Sequence, residues 1–444
     1  TPPLEAKLFR RNNGRGFGTA NRRIRIAFVA TNSIVQGEQV AQLWPLLFDR
    51  HGLEIAFAHR TFNWFSEARG KAHVHVVIIG LTHRDFEPAE KRLFSYPDIK
   101  RDPVESRHGA LTAYLFDAKG ADRHLVVREE RRPINGASRL LTGSKPLDGG
   151  YLTFSAEERA SMLEKEPAMD PFIRPYLGAS EYINDGRRWI LALQDAPPAT
   201  VRASSEVSSR LELVRKFRKS EIGPKGKPDG TRAKEGSSAA SLASAPTQFH
   251  VTVIPKAAFL VIPQVSSERR DFVPIGWLEP PSVPSDKLRL LSNASFWEFG
   301  ILTSTMHMAW MRAITGRMKS DYMYSVGVVY NTFPWPEATP AQRARVEALA
   351  QGVLDARAAH PTSSLADLYD PDTMPSNLRK AHRALDEAVD RLYRRAPFAS
   401  DRDRVEHLFG LYEALVNPLA TAGVASNRRV ARRAARQRSA EHRP

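Results

Sequence analysis

The chain has 444 residues, enough for two or three domains, and its 42 % apolar and 26 % charged content is that of a soluble globular protein. Its net charge of +16 points to a polyanionic partner, nucleic acid first, although six of those charges sit in residues 427–444, where seven arginines face one glutamate. The lack of cysteine excludes disulfides, thiolate metal sites and cysteine nucleophiles; no apolar run approaches a membrane span and no signal-peptide layout is present, so a cytoplasmic protein is expected.

Residues 1–22 are basic, glycine-rich and without period, and are expected to be irregular. Ile24, Ile26 and Phe28 then alternate with Arg25, Ala27 and Val29, ending in Thr31, Asn32 and Ser33, as a buried strand leaving a sheet does. Val40, Leu43, Trp44 and Leu47 share one helical face, with Pro45 placed to kink or end the helix. A strand over 53–62, a polar crossing over 63–72 and a strand over 73–80 follow; the last is a nearly continuous β-branched run, suited to a strand covered on both faces. Together these elements are the second half of an open α/β nucleotide-type sheet.

From about residue 82 to 336 the pattern is mixed α+β. Short β-like runs at 111–116, 124–129, 188–193, 249–254, 258–263 and 272–277 alternate with helical runs at 156–166, 204–219 and 295–315. Residues 223–246 are low in complexity and predict a mobile surface loop. Beyond Pro340 the sequence is helical, with Leu378, Ala381, Leu385, Val389 and Leu392 on one stripe. No internal repeat is visible.

Several groups carry candidate chemistry. Gly14, Gly16 and Gly18 precede a strand, whereas a phosphate-binding loop follows one and opens a helix. His73 and His75 share a strand face, either as part of a metal site that lacks an evident third ligand or as structural residues. Hydrolase and nucleotide-phosphatase readings have no motif behind them. Trp64 lies near the sheet edge where open α/β folds hold ligands, and either stacks on a base or packs under a loop. The polar segments 265–270 and 316–322 carry the residue types that read bases: Lys or Arg donates to guanine O6 and N7, and Asp or Glu accepts from cytosine N4. Lys319 and Asp321, two apart, suit the two bases of one G·C pair; the alternative is a solvated turn.

Five blocks in this order carry a family resemblance: IRIAFVATNSIVQGEQVAQLW, FAHRTFNWFSEARGKAHVHVVIIG, VSSERRDFVPIG, FGILTSTMHMAWMRAITGRMKSDYMYSVGVVYNTFPWPE and LADLYDPDTMP. Over roughly residues 22–415 the chain resembles the C-terminal part of MmeI-like DNA methyltransferases, class I S-adenosylmethionine-dependent adenine methylases of bacterial restriction–modification systems. The resemblance implies an irregular segment (1–22), the C-terminal half of a Rossmann-like methyltransferase domain (23–90), a target recognition domain (91–337), a helical C-terminal domain (338–424) and a basic tail (425–444). It also implies methyl transfer from S-adenosylmethionine to N6 of an adenine flipped out of double-stranded DNA, because N6 is unreachable in a stacked pair.

By the same resemblance, Trp64 is placed to stack on the flipped base, and Phe65 replaces a small polar residue beside it. Lys319 and Asp321 are placed to read one base pair. Arg317, Tyr322, Arg269 and Arg270 are placed as further DNA contacts, and Met323 stands where the family often has arginine. The cofactor loop is expected upstream of Thr1, and the family's N-P-P-[FY] catalytic tetrapeptide shortly before the strand at Arg25; only Thr1-Pro2-Pro3-Leu4 echoes the latter, through Pro2 and Pro3, with a hydroxyl where a carboxamide should accept the amine. The expectation is a truncated form that binds DNA with little catalysis. The alternatives are a stand-alone specificity module serving a separately encoded methylase or nuclease half, and general nucleic-acid binding through the arginine-rich tail.

Overall fold

The computed structural model describes residues 25–64, 74–96, 102–118, 122–226 and 238–418. Pro2, Pro3, Gly14, Gly16, Gly18, Phe65, His73 and the tail from 427 lie outside the described residues. The chain divides into two compact units, Thr1–Glu129 with Glu406–Pro444, and Glu130–Val405.

The first unit is built on a five-stranded sheet. Along the chain come β1 (Ile26–Thr31), α1 (Glu38–Pro45), β2 (Leu53–Trp64), β3 (Val74–His83), β4 (Lys91–Ser95) and β5 (Val104–His108), with spatial order β1-β3-β2-β4-β5. β3 runs antiparallel to both neighbours, β4 is parallel to β2, and β5 is antiparallel to β4. Of the crossing expected over 63–72, residues 63 and 64 instead belong to β2, and residues 65–72 lie outside the described residues. β2 continues through Trp64 and pairs directly with β3, Phe62 opposite Val76 and Trp64 opposite Val74. The sheet also runs on past residue 90, through β4 and β5.

Two expectations change here for physical reasons. β1 is not buried: Ile26, Phe28 and Ala30 are half-covered while Ala27, Val29 and Thr31 face solvent. Among the described residues it lies at the end of the sheet, and apolar residues on both of its faces gave the pattern of an interior strand. The runs 111–116 and 124–129 are apolar because they are buried, not because they are strands. Residues 111–117 form a turn closed by a bridge between Leu111 and Asp117, with Leu115 left-handed at φ 57°. Tyr114 and Phe116 pack 5.1 and 4.6 Å from Phe409, and the Tyr114 hydroxyl accepts the Val127 N–H at 2.8 Å.

Elsewhere the pattern holds. α1 ends at Pro45, whose ring cannot continue the helical ladder, and a wider turn over Leu46–Arg50 brings Phe48 beneath fully buried Trp44. Val76, Val77, Ile79 and Leu81 of β3 are buried. Gly80 is required, since a Cβ there would sit 2.0 Å from the Phe57 ring. A chain of charges closes the unit: buried Glu54 meets Arg123 at 3.1 Å and His124 at 2.9 Å, Arg123 meets Glu87 at 3.0 Å, and Glu87 meets Lys91 at 2.8 Å.

The second unit contains three small sheets and a helical layer. Its elements are β6 (Leu141–Thr142), β7 (Thr153–Phe154), α2 (Ala156–Lys165), β8 (Ile173–Leu177), α3 (Ala179–Asn184), β9 (Trp189–Leu191), α4 (Ser205–Arg218), β10 (Phe259–Pro263), β11 (Val265–Ser266), β12 (Gly276–Leu278), β13 (Val283–Pro284) and β14 (Leu288–Ser292). Then come α5 (Phe296–Thr303), α6 (Thr305–Ile314), β15 (Arg317–Met318), β16 (Asp321–Met323), α7 (Pro340–Ala358) and α8 (Ser376–Tyr393). The sheets are β13-β8-β9-β7, β12-β10-β14-β6 and β11-β16-β15.

The helical run 295–315 is two helices. Ser304 ends α5, donating its hydroxyl to the Ile301 carbonyl at 2.7 Å, and caps α6. Residues 249–254 hold only one bridge, Lys145 to Val251, in place of the expected strand. Of the α8 stripe, Leu378, Leu385 and Val389 are buried, while Ala381 and Leu392 are half-covered. Fully buried His382 shares that face, its Nε2 2.9 Å from the Tyr369 hydroxyl, and burial holds it well below the usual imidazole range. α7 and α8 pack against α5, where a Cβ on Gly300 would lie 2.9 Å from Val346.

The described parts of 223–246 are tied down. The Arg218 side chain, 1 % exposed, donates to the carbonyls of Pro146, Leu147, Leu242, Ala245 and Gln248 at 2.7–2.9 Å. One guanidinium thus ties residues 242–248 to residues 146 and 147.

Candidate nucleic-acid interface

The two polar segments picked from sequence meet in one three-stranded sheet. β15 and β16 form a hairpin with Arg317 opposite Tyr322 and Met318 opposite Asp321. Lys319 and Ser320 make the turn, and Lys319 adopts the left-handed conformation at φ 59°, which puts an exposed lysine at the tip. β11 pairs along the other side of β16, Val265 opposite Met323 and Ser266 opposite Tyr322. The chain leaving β11 stays close: the Glu268 N–H donates to Asp321 Oδ1 at 3.3 Å.

The candidate residues divide by what they touch. Arg317 lies 4.2 Å over the Tyr322 ring, donates to the Ser320 carbonyl at 2.9 Å and sits 3.5 Å from the Glu268 carboxylate. Tyr322 is only 7 % exposed. Both residues support the hairpin from behind. Arg269 is exposed and paired with Asp372, with Asp370 at 3.7 Å. Arg270 is different. Burial pulls its pKa down against the opposing pull of Asp321 and Asp370, and its guanidinium has no hydrogen-bond partner among the described residues.

Arg270 and Asp321 line a cleft of about 570 Å³, together with Gln264, Val265 and Ser267. A second wall comes from Gly178, α3 and Arg188, and Lys287 completes the lining. The cleft therefore holds both signs of charge and several amide and hydroxyl groups, a set that matches base edges better than a uniformly anionic surface. Lys319 is not among its lining residues; it stands at the hairpin tip.

Trp64 belongs to the other unit. It ends β2 at 47 % exposure, 6.4 Å from Phe62, whose ring stacks on Tyr96 at 5.0 Å. Behind them His59 stacks on Phe94 at 4.3 Å with Nδ1 2.9 Å from the Tyr96 hydroxyl, and burial, with Arg92 nearby, lowers its pKa. His75 faces Asn63 across the β2–β3 ladder, and no group of three potential metal ligands stands together among the described residues.

The residues that follow β1 do not fit S-adenosylmethionine. Asn32 is 8 % exposed, donates to Gln36 Oε1 at 2.8 Å and accepts from the Thr61 hydroxyl at 2.6 Å, so these polar groups satisfy one another.

Sequence reasoning missed Arg218 and Asp386. The first had a signal, because an arginine continues the buried stripe Val207, Leu211, Val214 of α4. Asp386 gave none: its carboxylate accepts the Thr305 N–H at 2.6 Å and hydroxyl at 2.7 Å across 81 residues.

Three family descriptions match successive stretches: the MmeI DNA-methyltransferase domain over residues 13–95, the MmeI target recognition domain over 121–337 and the MmeI C-terminal domain over 338–420. The chain belongs to the MmeI family. The hairpin and cleft fall in the stretch matched by the target recognition domain, and β1 to β4 in the methyltransferase stretch. DNA methyltransferase A of Bacillus subtilis (strain 168) is 34 % identical over 391 residues, covering 88 % of this chain and 42 % of that protein. A solved structure of the Type IIL restriction-modification enzyme MmeI in complex with DNA is similar at 39 % identity and a TM-score of 0.79, covering 89 % of this chain and 50 % of that one. The chain spans about half the length of the relatives it matches. Among the described residues, no helix is long and apolar enough to cross a membrane.

Proposed function

We propose that this chain recognises a specific double-stranded DNA sequence in the cytoplasm, on behalf of S-adenosylmethionine-dependent N6 methylation of adenine in a restriction–modification system. The observation that supports it is the convergence of segments 265–270 and 316–322 on one cleft, with the unpaired, partly desolvated Arg270 guanidinium beside Asp321. An arginine already stripped of part of its hydration gains most from a bidentate acceptor such as guanine O6 and N7. Lys319 and Asp321 read one base pair, Arg317 and Tyr322 hold the hairpin that carries them, and Trp64 stacks on the flipped base. Within the second unit, residues 130–337 form the recognition domain, backed by the helices α7 and α8.

On the residues present, recognition and methyl transfer separate. The sequence contains no N-P-P-[FY] tetrapeptide, and the polar groups after β1 are engaged with each other. The chain alone is therefore expected to bind without efficient transfer of a labelled methyl group.

The test selects duplexes from a random pool with the full chain, and again with residues 427–444 removed. Enrichment of one sequence by both proteins supports the reading; binding that vanishes with the tail overturns it. Replacing Lys319 or Asp321 by Ala should relax one base position by about 1–3 kcal/mol and leave the others.

A further inference from the structure

We propose that Asn184, on the cleft wall built by α3, is a specificity-determining residue that reads the edge of an adenine in the bound duplex. The inference rests on the reading of the cleft as a DNA site and adds a residue from a different part of the chain.

The polar side chains of this wall are not equally available. Glu181 is spent: Oε2 accepts the Gly178 N–H at 2.8 Å and Oε1 lies 3.2 Å from the Arg188 guanidinium. Arg188 is held by that carboxylate and by the Tyr176 ring 4.7 Å away. Asn184 is the last residue of α3, exposed, and lines the cleft. Its Nδ2 donates one N–H back to the Ser180 carbonyl at 2.9 Å. The other N–H and Oδ1 have no partner among the described residues.

A carboxamide fixed through one of its hydrogens presents the remaining donor and acceptor side by side. That is the complement of adenine N6 and N7 in the major groove, whereas a lone hydroxyl or ammonium cannot make both bonds. The mounting is firm. The chain turns at once through Asp185 in the left-handed conformation, φ 53°, and the Gly186 N–H closes on the Glu181 carbonyl at 2.9 Å. A reader on a braced helix end loses little rotational freedom on binding.

The experiment is selection from a random duplex pool with the full 444-residue chain, comparing the parent with Asn184→Ala and Asn184→Asp. Asn184 is exposed, so both variants should fold. Asn184→Ala should lose discrimination at one A·T position by roughly tenfold while the position sensitive to Lys319 and Asp321 keeps its preference. Asn184→Asp, which can only accept, should shift that position toward cytosine. If the parent enriches a sequence and Asn184→Ala returns the same profile at every position, the assignment of Asn184 is wrong and the recognition reading stands. Equal weakening on all sequences also overturns it, since that marks a backbone contact. A parent that enriches nothing overturns the recognition reading itself.

Discussion

Replacing Arg218 by Met tests how the second unit holds its least regular segment. Methionine keeps most of the apolar stem that continues the α4 stripe but removes all five donated hydrogen bonds. Bonds from a charged group contribute about 1.5–3 kcal/mol each, but simple addition overshoots. Gln248 is exposed and Leu242 and Ala245 are half-covered, so their carbonyls can return to water. The Pro146 and Leu147 carbonyls, at the inner end of the guanidinium, are the costly ones. A buried carbonyl left without a donor costs about 1–3 kcal/mol, so two of them set an expected destabilisation of this unit of about 2–6 kcal/mol. Urea unfolding followed by tryptophan fluorescence measures it, and hydrogen exchange locates it: amides over 242–248 should lose protection first. Arg218→Lys, with three donors on one nitrogen, should recover part of the loss. A change below about 1 kcal/mol, with protection over 242–248 intact, would show that the segment is held by something other than this guanidinium.

Asp386 supplies a pH dependence. Burial lifts its carboxyl to about 7, Asp390 adds to the rise, and the two Thr305 bonds and Arg404 oppose it. With a folded-state pKa above the unfolded one, the native state binds the extra proton, so stability falls as pH rises from about 4 through 7. Asp386→Asn should flatten that slope in urea melts between these limits; an unchanged slope would assign it to other groups. Lys319 tests the hairpin tip. A left-handed lysine costs about 1–2 kcal/mol and glycine gives back about 0.5–1 through its unfolded-state freedom, so Lys319→Gly should leave stability level or slightly higher while erasing preference at one base position. A clear loss of stability would mean that the lysine side chain supports the turn.

The parts of the fold that hydrophobic period can express were legible. α7, α8, β3 and the end of α1 at Pro45 follow from it directly. What was not legible depends on partners distant in the chain. β1 carries apolar residues on both faces, so its pattern cannot tell an edge from an interior strand. The run 111–116 is apolar because Phe409 covers it. The break at Ser304 is a serine inside a continuous apolar stretch, where capping outweighs helix continuation. At the site, the two-residue spacing of Lys319 and Asp321 was visible, but the division of labour was not. Arg317, Arg269 and Arg270 carry the same charge, and only their neighbours distinguish a brace, a surface pair and an unpaired donor.

The two margins of the five-stranded sheet are dressed differently. β5 carries Glu105 and Arg107, paired with Arg92 at 2.8 Å and Glu90 at 3.0 Å, and such a salted hem discourages another strand from zipping on. β1, with the sequence IAFVAT, has no charge and no proline, and Val29 is 48 % exposed. Among the described residues that rim is unguarded, the kind of margin on which a further strand can be laid.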